Sequence, residues 1–237
     1  MPSSIARCRA LHRLDVDANQ LIELPRRLGH LPKLAELSAR RNALAVLHAA
    51  PGRFSRLEVL YLAHNALRTL PAGLASTPLR RLDLSGNPLG RVPSVLIEPS
   101  AHAFAQLRSL SLRDSNLAGV QEGLGARASI VELDLAANPA LVSLPDDVFR
   151  LPMLRRLDVS RTGFTTLPES LLQMNAAATI ELEGLVFATH GRLQRLWIEA
   201  MRRVGARSGP RLRPSPFDGF ARRPPNDGRD PMEPDMG

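Results

Sequence analysis

The chain has 237 residues, enough for one sizeable domain and a tail, and 44% of it is hydrophobic against 4% aromatic, so any core must be aliphatic. Its formal charge of +8 is almost wholly arginine, because Lys33 is the one lysine among 31 basic residues; such bias reflects codon composition first and an electrostatic footprint second, which argues against nucleic acid as the partner. A single cysteine, Cys8, excludes an intramolecular disulfide and therefore a fold stapled by paired-cysteine caps.

Residues 1–10 lack the apolar run of a signal peptide, and no later stretch approaches the length of a membrane span, so a soluble protein is expected. Regular units begin at Leu11, with Leu14, Val16, Asn19 and Leu21 at offsets of three, five, eight and ten. The same offsets return at Leu34, Leu37, Ala39, Asn42 and Leu44, at Leu57, Leu60, Leu62, Asn65 and Leu67, and at Leu79, Leu82, Leu84, Asn87 and Leu89. Looser copies follow through Leu107, Leu110, Leu112, Ser115 and Leu117, through Ile130, Leu133, Leu135 and Asn138, and through Leu154, Leu157, Val159, Thr162 and Phe164. An eighth copy fades through Ile180 and Leu182. Self-similarity at a fixed period of this length predicts a repeat architecture, in which each unit buries its apolar side chains only against its neighbours.

Each position has a physical cause. Leucines two apart project to the same side of an extended segment and enter the core together, so the residues between them are expected to face solvent. The asparagine falls where the chain turns out of the strand and can satisfy backbone groups that the turn would leave unpaired; the ladder it forms should be weakest at Ser115 and Thr162. Leu24-Pro25, Leu70-Pro71, Val92-Pro93, Leu144-Pro145 and Leu167-Pro168 then place proline at the first position of a short helix, where its missing N–H costs nothing. Leu28 with Leu31, and Val148 with Leu151, close the convex side. By the same count Ile5 and Cys8 are core residues, and residues 1–10 read as a partial repeat or N-terminal cap, as in a fragment of a longer array.

The array is assigned to residues 11–185. The stretch from Pro93 to His102 carries about five extra residues, read as a convex bulge. Leu193, Leu196, Trp197, Ala200, Met201 and Val204 recur at helical spacing, which predicts a capping helix over 186–204. Residues 205–237, rich in proline and arginine, read as a disordered tail.

The histidines are scattered, no metal-ligand spacing occurs, and the chain has no nucleophile elbow or phosphate-cradling glycine loop; neither catalysis nor a cofactor or small-molecule substrate is expected. What remains is a surface. Down the column between the inward leucines run Asp15, Ser38, Tyr61, Asp83, Ser111, Asp134, Asp158 and Glu181. Flanking columns add Arg13, Val59, Arg81 and Arg156 on one side and Arg40 and Arg113 on the other, so that Arg13/Asp15, Arg81/Asp83 and Arg156/Asp158 lie side by side. Tyr61, the only tyrosine, with Arg40, Arg41, Val59 and His64, is the expected hot spot, because an exposed aromatic among charged neighbours is the residue type that carries interface energy.

Units such as Leu-Arg-Arg-Leu-Asp-Leu-Ser-Gly-Asn-Pro-Leu at 79–89 resemble those of intracellular leucine-rich-repeat proteins with 23-residue units, especially the type III secreted effectors of Gram-negative plant pathogens, the XopL-like and related groups. The resemblance implies an α/β solenoid, a curved right-handed horseshoe with parallel strands on the concave face and short helices or 3-10 turns on the convex face. It also implies a monomeric protein-binding module, made in the bacterial cytoplasm and secreted by a type III system, that holds a host protein on its concave face. Several members of that group carry a following ubiquitin-ligase domain, for which the residues after the array are too few here and which Cys8 does not supply; the substrate-recognition half of such a ligase is one alternative, and a scaffold inside the producing cell another.

Overall fold

The computed structural model describes residues 3–49, 54–98, 104–165, 170, 174 and 178–181. Eight three-residue strands form one parallel sheet in strictly sequential order: β1 (Arg13–Asp15), β2 (Glu36–Ser38), β3 (Val59–Tyr61), β4 (Arg81–Asp83), β5 (Ser109–Ser111), β6 (Glu132–Asp134), β7 (Arg156–Asp158) and β8 (Thr179–Glu181). The register follows the repeat without a slip: Leu14, Leu37, Leu60, Leu82, Leu110, Leu133, Leu157 and Ile180 are stacked Cα partners, including across the lengthened fourth unit. A side-chain period of two makes this register compulsory, since a shift by one residue would turn every leucine out of the core. The fold is a leucine-rich-repeat solenoid.

On the convex side the connections are single turns, at Arg26–His30, Ala72–Ser76 and Leu124–Ala126 as 3-10 helix and at α1 (Ser94–Ile97) and α2 (Asp146–Phe149) as α-helix. Proline stands one residue earlier than expected. Pro25, Pro71, Pro93 and Pro145 are N-caps with extended ψ, and each lends its carbonyl to the first turn, as in the bonds from the Leu28, Leu74, Leu96 and Val148 amides. Pro168 lies outside the described residues. Leu28, Leu31, Val148 and Leu151 are buried and close the core on this side.

A second expectation is corrected at the N-terminus. Ile5 packs on the core from a 3-10 turn at Ser3–Arg7, but Cys8 is exposed, not a core residue. The equivalent Leu31 is covered by repeats on both sides, whereas Cys8 lies in the first described turn, where a two-atom side chain on the outermost rung is too short to reach the neighbouring apolar surface. The described part of the insertion is α1, whose Val95 and Leu96 are buried, so it contributes to the core and is more than a surface bulge. Residues 99–103, the segment expected to form a capping helix at 186–204 and the tail at 205–237 lie outside the described residues.

Candidate protein-binding face

The strands are held at their exits by the asparagine ladder. Asn65 donates its amide to the Leu62 carbonyl of its own repeat (2.9 Å) and the Ala39 carbonyl of the preceding one (2.8 Å), while its Oδ1 accepts the Leu44 amide (3.0 Å). Asn42, Asn87 and Asn138 repeat the pattern. At the predicted weak points the Thr162 hydroxyl reaches the Val159 carbonyl of its own turn (2.7 Å), and Ser115 reaches the Leu84 carbonyl of the previous repeat only at 3.4 Å. One proton cannot do the work of an amide's two.

The residue before each ladder position is left-handed in all seven repeats whose exit turn is described, with φ between 51° and 65° at Ala18, Arg41, His64, Gly86, Asp114, Ala137 and Arg161. Only one of these is the glycine that such backbone favours. At Gly86 the reason is a close approach, because a Cβ there would stand 2.4 Å from His64 Nδ1. Two expected hot-spot residues, Arg41 and His64, therefore occupy the exit turns, exposed, and are not on the strand beside Tyr61.

Arg40 does join Tyr61: its guanidinium lies 3.7 Å from the ring centroid. From the other side Arg81 donates to the phenol oxygen at 3.3 Å, and Val59 on the same strand is half-buried. Arg40 also reaches Asp17 at 3.4 Å and Asp83 at 3.8 Å, while Asp17 accepts the Ser38 hydroxyl (2.6 Å) and the Arg40 amide (2.7 Å). The ring is thus fixed by cations from β4 and from the turn after β2. Asp17 is the anchor the sequence reading left out, although it sits in the same column as Arg40 and Arg113.

Ion pairs run across strands, not along them as expected. Arg13 bonds Glu36 at 2.6 Å, Arg156 bonds Glu181, and Arg113 approaches Asp158 at 4.0 Å, whereas Arg13 and Asp15, Arg81 and Asp83, and Arg156 and Asp158 do not come within ion-pair distance. Arg13 and Glu36 are register partners, about 4.8 Å apart across strands against about 6.6 Å for residues two apart on one strand, whereas Arg156 reaches Glu181 along a diagonal and Arg113 reaches Asp158 across two rungs, as a long side chain can.

The expectation that the whole column faces solvent also fails. Arg13, Asp15 and Arg81 are exposed, but Ser111 is 3%, Asp134 0% and Asp158 1% exposed. Asp134 accepts the Ala136 amide (3.0 Å) and the Ser111 hydroxyl (3.2 Å). Burial, with Asp158 on the next rung, nevertheless pushes its carboxyl up to about 7. Burial raises Glu181 as well, against the opposing hydrogen bond from Arg156. The sheet face accordingly divides into a more open N-terminal half around Tyr61 and a stretch on β5 to β7 that is closed at Ser111, Asp134 and Asp158, with β8 beyond it partly exposed. Asp134 and Asp158, expected to touch a partner, are inaccessible. Among the described residues no group of three His, Cys, Asp or Glu side chains could hold a metal ion, and no helix is long and apolar enough to cross a membrane.

Comparison with known proteins agrees with the architecture. The Leucine Rich Repeat family model matches residues 78–98. Mouse Tsukushi is 30% identical over 207 residues, covering 73% of this chain and 56% of its own length. The chain thus spans about half of that relative, and 8% and 37% of two other curated relatives. Among solved structures, a leucine-rich-repeat protein of Leptospira interrogans aligns with TM-score 0.68 at 24% identity, covering 80% of this chain and 53% of that one. The leucine-rich-repeat domain of the type III effector XopL aligns with TM-score 0.65 at 25% identity, covering 77% and 64%. The likeness to animal and bacterial proteins alike lies in the repeat, a fold that generally serves as a non-catalytic protein-interaction scaffold.

Proposed function

We propose that the chain is a protein-binding module whose partner docks on the open half of the concave face, centred on Tyr61. The observation that carries this is the clamp of Arg40 and Arg81 on the ring: an aromatic held in one orientation loses little freedom on binding, and aromatic and arginine side chains dominate interface energies. Arg13, Asp15 and Asp83 form the charged rim, which sets orientation more than affinity. The effector reading, a bacterial protein acting on a host protein, is supported by the likeness to the XopL repeat domain at 25% identity over 77% of this chain.

The test is retention of partners from a host-cell extract on immobilised full-length protein, wild type against Tyr61→Ala. A protein held by wild type should be lost by the variant. The melting temperature should move little, because Tyr61 is only half-buried and the stacking it removes is worth about 1 kcal/mol. Retention equal in both excludes Tyr61 from the interface.

A further inference from the structure

The N-terminal edge of the sheet is a second charged surface. The parallel ladder continues one residue ahead of the strands: the Arg80 amide donates to the Glu58 carbonyl (2.8 Å), Arg108 to Arg80 (2.9 Å), Val131 to Arg108 (2.8 Å) and Arg155 to Val131 (2.8 Å). These residues therefore share one column at strand spacing, about 4.8 Å per rung. Arg80 and Arg108 occupy adjacent rungs, and Arg155 stands two rungs beyond Arg108; all three are exposed, and Arg81, in the next column, is engaged by Tyr61 and is not part of this row. Arg80 is paired with Glu58 at 3.5 Å, but neither Arg108 nor Arg155 pairs with a carboxylate among the described residues. Arginines carried on the first, second and fourth rungs of this column, counted from β4, offer guanidinium donors for carboxylates, which arginine binds in a two-pronged geometry.

We propose that this edge, from β4 to β7, docks an extended acidic segment of a partner protein. Two features favour a peptide over a nucleic acid. Glu58 and Glu132 flank the Arg80–Arg108 pair on the same edge and would repel an unbroken phosphate chain, whereas a peptide can place a neutral residue opposite each. Base stacking also needs exposed rings, and here Phe54 and Phe104 are buried while the Tyr61 ring already carries Arg40. The edge lies beside the Tyr61 face without including it, so this docking does not depend on the hot spot assigned above.

The experiment is fluorescence anisotropy of the full chain with a labelled peptide of alternating glutamate and glycine, long enough to run from β4 to β7. Wild type should bind at low salt and release the peptide as salt rises. Arg80→Glu with Arg108→Glu should weaken binding about tenfold or more, while Tyr61→Ala should leave it unchanged. If the charge-reversed protein melts early, Arg80→Gln with Arg108→Gln replaces it and should still weaken binding several-fold. No binding by wild type, or affinity unchanged in a folded edge variant, overturns the proposal. Loss of binding in Tyr61→Ala moves the peptide to the concave face, and tighter edge-dependent binding of a mixed-sequence RNA makes the edge a nucleic-acid surface; both reject it.

Discussion

Asp134 is an acid that folding removes from water, and its folded value of about 7 lies well above the roughly 3.9 of an unfolded aspartate. Between those values the unfolded chain is ionised and the folded chain protonated, so folding takes up a proton and stability falls as pH rises, levelling off above about 7. Glu181 is shifted in the same direction and adds to the slope. Urea midpoints should therefore be higher at pH 5 than at pH 8. Asp134→Asn, which keeps an acceptor for the Ala136 amide and cannot ionise, should flatten the dependence and raise the midpoint at pH 8; an unchanged slope would remove Asp134 as its source. Nothing in the sequence distinguishes this aspartate from Asp15 at the same repeat position. What separates them is their surroundings in the folded chain, Asp15 being exposed and Asp134 not, and a column of identical residue types does not encode that.

Among the elements, α1 shows what repeat periodicity leaves unread. The lengthened fourth unit ends its helix under Arg127, which is 5% exposed and donates from Nε to the Leu96 carbonyl (2.8 Å) and from a terminal nitrogen to the Glu98 carbonyl. Burial lowers its pKa, yet the guanidinium satisfies carbonyls that a four-residue helix leaves open. Arg127→Ala should cost about 1–3 kcal/mol for each carbonyl left buried and unpaired. Hydrogen exchange at the Leu96 and Glu98 amides, which close α1, should accelerate while β6 stays protected. Equal protection in variant and wild type would mean that α1 needs no cap. The strands were legible because leucine spacing and asparagine position dictate register directly. The cap was not, because it joins residues 31 apart through an insertion that the template does not describe.

For the whole molecule, the sequential sheet means that each strand is supported only by its neighbours, and the place of a lesion decides its cost. Leu82 lies on β4 between two strands at 1% exposure. Replacing it with aspartate forfeits about 1.5–3 kcal/mol of burial and adds the several kcal/mol of an unpaired buried charge, a large part of the 5–15 kcal/mol that stabilises a typical domain. Leu14 makes the same inward contact from β1 but has one described neighbour strand, so Leu14→Asp should fray the first rung and spare the remainder. Residue-resolved hydrogen exchange separates the cases: Leu82→Asp should strip protection from β3, β4 and β5 together and lower the melting temperature sharply, while Leu14→Asp should affect β1 and leave β5 to β7 as in wild type. Equal loss of protection from the two substitutions would mean that the array unfolds as one indivisible unit, contrary to nearest-neighbour coupling.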